Sequence, residues 1–320
     1  MKSFQNLKGS LILCLASMIW GLAFVAQSAA ADNVPPLLCN ALRSLIGALF
    51  LFGLLAVTCR KSGRPIFPKT PELRKKTLVG GALCGLFLTV SVNLQQFGIT
   101  YYPAGVASEA RAGFLTALYV ILVPLISVIL GKRLSPALIA AVIIAMVGIW
   151  FLCFSGGIDG FYLGDLLIFL CSISFSLHIL TIDHYVDAVG GIALSFWQFS
   201  VCALLSGILS LCFETPSWQS VLDAAPQILY LGLFSSGIAY TLQIVGQKFA
   251  EPTVASLTMS LESVFAALGG WIIAGNALSS HELLGCLLVF CGIILAQIPF
   301  PTKKKTTPEN LELSQDLGRD

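Results

Sequence analysis

Charge is scarce in this chain. Asp, Glu, Lys and Arg make up 11% of its 320 residues, where a soluble domain carries about a quarter. With 57% hydrophobic residues and a mean hydropathy of +0.89, that deficit excludes a water-soluble enzyme, a disordered scaffold and a secreted disulfide module. Catalytic motifs are missing too. His281-Glu282 runs on into Leu283-Leu284 instead of completing HExxH, no GxSxG occurs, and Gly131-Lys132 is followed by Arg133 instead of the Ser or Thr of a P-loop. Three histidines and no acidic cluster supply no metal set, so neither metal nor cofactor is expected, nor is nucleic acid. The ten cysteines are scattered without a CxxC pair; they read as small apolar side chains, not as a disulfide framework or zinc site.

Long apolar runs are what the chain does have. Crossing a ~30 Å hydrocarbon core takes about 20 apolar residues, and ten runs qualify near 8–29, 36–58, 77–98, 104–130, 135–153, 163–181, 190–212, 225–247, 252–274 and 282–299. Pro and Gly clusters punctuate them, among them Pro35-Pro36, Tyr102-Pro103, Ser135-Pro136 and Glu251-Pro252. Lipid satisfies no backbone polar group, and the runs are continuously apolar without alternation, which selects helices over barrel strands. The predicted fold is all-α: a polytopic membrane protein of ten transmembrane helices. Residues 1–7 form a short N-terminus, 8–153 a first unit, 154–162 a linker, 163–299 a second unit and 300–320 a polar, disordered tail.

Basic residues orient the chain. Sixteen of the 18 Lys and Arg fall in segments on one side, including the cluster Arg60, Lys61, Arg64, Lys69, Arg74, Lys75 and Lys76; Arg43 and Arg111 lie inside helices. Cytoplasmic loops retain basic residues, so both termini are expected in the cytoplasm, in an inner (cell) membrane. The segment 182–189, read as an inside loop, breaks the pattern with Asp183, His184 and Asp187 but no Lys or Arg. Lys2, Lys8 and Ala29-Ala30-Ala31 imitate a cleaved signal, but the run from Gly9 to Ala26 exceeds a normal signal core.

The two units resemble each other. Leu94-Gln95-Gln96-Phe97-Gly98 aligns with Leu242-Gln243-Ile244-Val245-Gly246 at an offset of 148, and Val106-Ala107-Ser108 with Val254-Ala255-Ser256. After a four-residue gap, Leu134-Ser135 meets Leu278-Ser279 and Gly148-Ile149 meets Gly292-Ile293. Five helices per unit is an odd number, so the second copy begins on the opposite side. The expectation is two inverted five-helix repeats around a central cavity, the architecture on which many secondary transporters build alternating access.

Trp20-Gly21-Leu22-Ala23-Phe24-Val25, Arg43 early in the second helix, the stretch from Ala112 to Leu125 and Ser260-Leu261-Glu262-Ser263-Val264-Phe265 carry a family resemblance. Together they resemble the EamA-type transporters of the drug/metabolite transporter superfamily. Ser263 stands where that family has Pro, and Gly131-Lys132-Arg133 and Gly275-Asn276-Ala277 depart from its Gly-Glu. The resemblance spans about residues 8–298. It implies ten helices in two inverted bundles around a substrate cavity, commonly serving efflux of small organic metabolites.

Ionisable groups deep in a bilayer are functional candidates by default. At 1.5 Å per residue, Glu262 lies about 15 Å from the inner end of its helix, near the midplane. Arg111 lies about 12 Å, Arg43 about 10 Å and Glu109 about 9 Å from their outer ends. Glu262 is the foremost candidate, either binding a substrate amine or exchanging a proton; a hydrogen-bonded structural carboxyl is the alternative. Arg111 and Glu109 follow, with ion pairing as the alternative; at two residues apart they do not face each other. Arg43 reads as a brace or a snorkelling side chain. Asn93 and Gln96 share one face, as do Gln243 and Gln247, and Gln95 and Gln243 are equivalent by the offset. Tyr119 and Trp20 offer aromatic walls. Interhelical hydrogen bonding and lipid packing are the alternatives for these.

The expected function is a secondary-active or facilitative transporter exporting small organic metabolites. Two cations are too few for nucleotide sugars or sugar phosphates, so an amino acid or similar zwitterion is favoured, with drug-like compounds as a further class. A receptor or assembly factor is the alternative outside transport. The expected partners are a small-molecule substrate and the lipid bilayer; protons and a second copy of the chain stay open.

Overall fold

The computed structural model describes residues 2–63, 65–103, 108–153, 160–215, 217–274 and 279–297, without the side chains of 2–6, 108–110, 152–153, 269–274 and 297. Among the described residues the regular structure is helical throughout. The elements are α1 (Lys2–Ala31), α2 (Pro36–Ser62), α3 (Pro71–Thr100), α4 (Ser108–Ala117), α5 (Tyr119–Ile129), α6 (Pro136–Cys153), α7 (Leu163–Val189), α8 (Gly191–Phe213), α9 (Trp218–Asp223) and α10 (Ala225–Tyr230). A π-helical stretch, Leu231–Ala239, then precedes α11 (Tyr240–Gln247), α12 (Pro252–Met259), α13 (Leu261–Ala274) and α14 (Ser280–Gln297). Where described, each apolar run is largely helical. Among the described residues seven stretches are long and apolar enough to cross a membrane, among them Leu7–Ala31, Pro71–Thr100 and Arg111–Ile129; Pro136–Phe151, Pro252–Leu268 and Ser280–Ala296 are apolar but shorter.

Prolines open α2, α3, α10 and α12, where the missing N–H costs no helical bond. The segment 182–189, expected as a loop, is instead the last two turns of α7, and Asp183 there pairs with Lys132 at 3.0 Å. Only Gly190 separates α7 from α8. Its φ of +86° lets the chain reverse in one residue, a conformation costly for any side chain with a Cβ. The short α9 was not anticipated; Ser217 caps it by accepting the Ser220 N–H.

Two expected helices are bent near their middles. The run 104–130 divides into α4 and α5 at Leu118 (φ −57°, ψ −16°), and 252–274 divides into α12 and α13 at Ser260 (φ −63°, ψ −11°). Both residues keep right-handed helical angles, so each break is a local tightening within a continuing helix. In α5, Pro124 lacks an N–H and its ring crowds the carbonyl four residues earlier, loosening the helix upstream. Around Ser260, the hydroxyls of Ser256, Thr258 and Ser260 bond back to the carbonyls of Thr253, Val254 and Leu257, the back-bonding that bends helices.

Glycines set the crossings. A Cβ on Gly148 of α6 would lie 2.8 Å from the Gly285 carbonyl oxygen and the Val289 nitrogen of α14; one on Gly292 of α14 would lie 2.8 Å from the Ala141 carbonyl oxygen and 3.1 Å from Ala145 Cβ of α6. Residues 141 and 285, 145 and 289, and 148 and 292 are each 144 apart, so the contact is reciprocal. A second pair behaves alike. Gly164 of α7 sits against the Gly98 carbonyl of α3, and Gly9 of α1 against the Gly246 carbonyl of α11. Polar side chains such as Gln27, Asn40, Arg43, Gln95 and Gln198 are buried, while Leu211, Phe213 and Ile294 are exposed. That inversion of the soluble pattern suits lipid as the solvent.

Gly148→Leu should lower the melting temperature of the detergent-solubilised protein by several degrees, since overpacking costs about 1–3 kcal/mol. Gly113→Ala should leave it unchanged, because the nearest atom to the new methyl would be Ser263 Oγ at 3.7 Å. Equal melting of the two variants would show that the α6–α14 crossing yields freely.

Candidate functional site

The two bends meet at the centre of the bundle. Tyr119 is the first residue after the Leu118 bend and Glu262 the second after the Ser260 bend; the phenol donates to Glu262 Oε1 at 2.9 Å. Both side chains line a cavity of about 40 Å³, room for a water or two in this conformation. Among the described residues Glu262 makes no other hydrogen bond and has no cationic partner.

Arg43 of α2 forms another part of the wall. Its Nη1 donates to Gln27 Oε1 at 2.9 Å, Nη2 to Ser235 Oγ at 3.1 Å and Nε to Ser236 Oγ at 3.3 Å. The serines lie in the π-helical stretch, a deviation that recurs at functional sites. From Gln27 a polar chain continues: its Nε2 donates to Gln95 Oε1 at 3.2 Å, and Gln95 Nε2 to Thr116 Oγ1 at 3.1 Å. Side chains of α2, α1, α3 and α4 are thereby tied in one line along the cavity. The cavity thus has a guanidinium and a carboxyl, each held by neutral partners and neither paired with the other.

The remaining wall is apolar and aromatic. Trp20 packs edge-on to Tyr240 at 4.7 Å between centroids, and Tyr240 likewise to Phe199 at 5.1 Å; Phe175, Ile179 and Met259 complete it. Trp20 Nε1 and Gln243 Oε1 are buried without partners. Such atoms are costly when left unmatched, so they call for a ligand or water that both accepts and donates.

Of the residues nominated from sequence, Trp20, Tyr119, Gln243 and Glu262 line this cavity. Gln95 and Gln243, paired by the 148-residue offset, both line it as well. The others lie elsewhere. Gln96 donates to the Gln27 carbonyl at 3.1 Å, behind the wall. Asn93 accepts from Asn40 and donates to the Thr89 carbonyl and Ser206 Oγ, bracketing α2, α3 and α8. Gln247 donates to the Ile179 carbonyl at 3.0 Å. The Glu109 side chain lies outside the described residues. Gln27, Thr116, Ser235 and Tyr240 were not weighed from the sequence, although Gln27 interrupts the apolar run of α1 and Ser235-Ser236 interrupts that of the eighth helix.

Arg111 is at the end of the bundle away from the Lys-rich segments. It forms a bidentate pair with Asp165 of α7, Nε to Oδ1 at 3.1 Å and Nη2 to Oδ2 at 2.8 Å, and donates to the Gly160 carbonyl. Tyr102 donates to Oδ1 at 2.7 Å, the Tyr162 N–H to Oδ2 at 2.9 Å, and the guanidinium stacks 4.8 Å from the Tyr162 ring. Burial and the Asp165 carboxylate push the Tyr102 phenol above its ordinary range, keeping it a donor. Asp165 was not singled out from the sequence; a carboxylate three residues after Tyr162 was its only signal. The cluster ties α4 to α7.

Comparison with known proteins agrees with this layout. The EamA-like transporter family matches residues 7–154 and again 162–297. A protein of Archaeoglobus fulgidus named an uncharacterized transporter is 27% identical over 92% of this chain and 87% of its own length. The uncharacterized transporter YoaV of Bacillus subtilis is 23% identical over 90% and 96%. A solved crystal structure shares the fold with a TM-score of 0.72 at 23% identity, over 90% of this chain and 96% of its own.

Removing one member of the Arg111–Asp165 pair leaves a buried charge, at a cost of about 3–5 kcal/mol, whereas an apolar replacement of both is often neutral. Arg111→Leu and Asp165→Leu should each lower the melting temperature in detergent sharply, and the double variant should recover most of the loss. A double variant less stable than either single would contradict a self-contained pair.

Proposed function

Because this chain belongs to the EamA-like transporter family, we propose that it exports small organic solutes, amino acids or similar zwitterions foremost, by alternating access of two inverted five-helix repeats. One observation carries the substrate class. Arg43 and Glu262 both line the cavity, and neither is neutralised by another charged side chain. A zwitterion supplies the missing partner to each, its carboxylate to the guanidinium and its ammonium to the Glu262 carboxyl, in charge-assisted bonds about twice as strong as neutral ones. The apolar wall around Trp20, Tyr240 and Phe175 accepts the side chain and also admits drug-like compounds. A sugar phosphate fits poorly, since Arg43 is the one cation among the described lining residues.

The ten-helix, two-repeat arrangement draws support from two directions. The offsets in the sequence pair Gln95 with Gln243 and Gly148 with Gly292, and the α6–α14 contact is reciprocal at the latter spacing. Half-helices that end at a central site are a transporter device. Two similar halves of opposite orientation give the two open states similar energies. The Lys and Arg distribution supports cytoplasmic termini in an inner membrane. Glu262, deep and bonded only to a phenol, is suited to exchanging a proton with the cavity as the coupling ion.

Counterflow into proteoliposomes with a panel of amino acids, nucleosides, dyes and sugar phosphates tests the substrate class; strong preference for a sugar phosphate overturns it. Arg43→Gln should weaken exchange of a zwitterion such as L-leucine roughly tenfold to a hundredfold, the worth of a charged hydrogen bond. Glu262→Gln should weaken that exchange as well, since the amide offers no anion to the ammonium, and should in addition lose uphill movement driven by a pH gradient. Full gradient-driven activity in that variant removes Glu262 from coupling.

A further inference from the structure

A second concavity, of about 530 Å³, opens at the Lys-rich end between α5, α7, α11 and the start of α12. Its floor is polar and unfinished. Ser127 of α5 is 2% exposed and Gln247 of α11 is 3% exposed, yet Ser127 Oγ and Gln247 Oε1 have no hydrogen-bond partner. A helical serine ordinarily bonds back to a carbonyl of the preceding turn; this one does not. Beside them α12 begins at Pro252 after Glu251, with no side-chain cap, so its first N–H groups also face the space without an intrahelical partner. The rim carries both signs of charge. Lys132 is paired with Asp183, while Arg133, Lys248, Asp187 and Glu251, which also line it, make no ion pair among the described residues.

This chamber is in series with the central cavity. Gln247 lies one helical turn, about 6 Å, below Gln243 of the cavity wall, and its Nε2 holds the carbonyl of Ile179, another cavity residue. The floor of one space is therefore the ceiling of the other. From this geometry we propose that the chamber at the Lys-rich end is a second binding station, where Ser127, Gln247 and the α12 N-terminus hold a small zwitterion before it enters the central cavity. The proposal rests on the transport reading above. Ser127 and the helix N–H groups donate to the carboxylate, Gln247 Oε1 accepts from the ammonium, and the mixed rim admits a solute carrying both charges without favouring either sign.

The test uses the full-length protein in proteoliposomes with L-leucine as probe. Leu134→Cys reports on the chamber, Gln243→Cys on the central cavity, and the mixed disulfide that each thiolate forms with a small methanethiosulfonate, releasing methanesulfinate, is followed by mass spectrometry of its own unreduced peptide. L-leucine should slow labelling of Leu134→Cys severalfold, and should still do so when Glu262→Gln is added. Ser127→Ala, which breaks no hydrogen bond of the fold, should raise the half-protecting concentration about fivefold at Leu134→Cys and leave that at Gln243→Cys unchanged. Protection at Gln243→Cys without protection at Leu134→Cys overturns the chamber site and leaves the transport reading intact. Loss of chamber protection on adding Glu262→Gln also overturns it, since the chamber would then only follow the cavity. Protection at neither position overturns both.

Discussion

Hydrocarbon offers no hydrogen bonds, so every charge and every backbone break at membrane depth must find its partner inside the protein or in an enclosed wet space. Much of this bundle follows from that constraint. Arg43 is bound by three neutral side chains, Asp165 collects Arg111, Tyr102 and a backbone N–H, and Asn93 is shared among three helices. The bends at Leu118 and Ser260 are placed where loosened backbone borders the cavity. Among the described cavity residues Trp20 Nε1 and Gln243 Oε1 stay unmatched, and they mark where something other than protein is expected to bind.

Close packing makes that interior possible. Where glycine meets a neighbouring backbone, two helices approach near enough for short polar side chains to reach across, and dispersion is supplied along the contact. The Gly98–Gly164 and Gly9–Gly246 crossings hold α3 on α7 and α1 on α11, helices that carry Gln95, Phe175, Trp20 and Gln243 to the cavity. Interhelical hydrogen bonds in membranes are worth only ~0.6 kcal/mol on average, so the polar chain from Arg43 to Thr116 orients side chains more than it holds the fold.

The helices themselves were plain in the sequence, because twenty apolar residues bounded by Pro or Gly admit few readings. Internal detail was harder to read. Asp183, His184 and Asp187 imitate a loop, yet Gly190 lets α7 continue past them and Lys132 pairs with Asp183. Pro124 signalled the bend in α5 and was passed over. Among site residues, Glu262, Tyr119, Trp20 and Gln243 stood out as polar or aromatic groups in apolar runs. Arg43 looked like a brace because Ser235 and Ser236 lie over 190 positions away. Arg111 looked like a cavity residue because its partner, 54 positions on, was not singled out.

The reciprocal α6–α14 contact and the Arg111–Asp165 cluster differ in one respect that bears on motion. A crossing whose two sides are interchangeable resists tilting equally in either direction, like an axle. The ion pair is not matched that way: parting α4 from α7 strips a buried, bidentate guanidinium of its carboxylate, while at the far end the exposed Lys132–Asp183 bridge surrenders about 1 kcal/mol at most. Parting the helices at the Tyr102 end is therefore the costlier of the two separations.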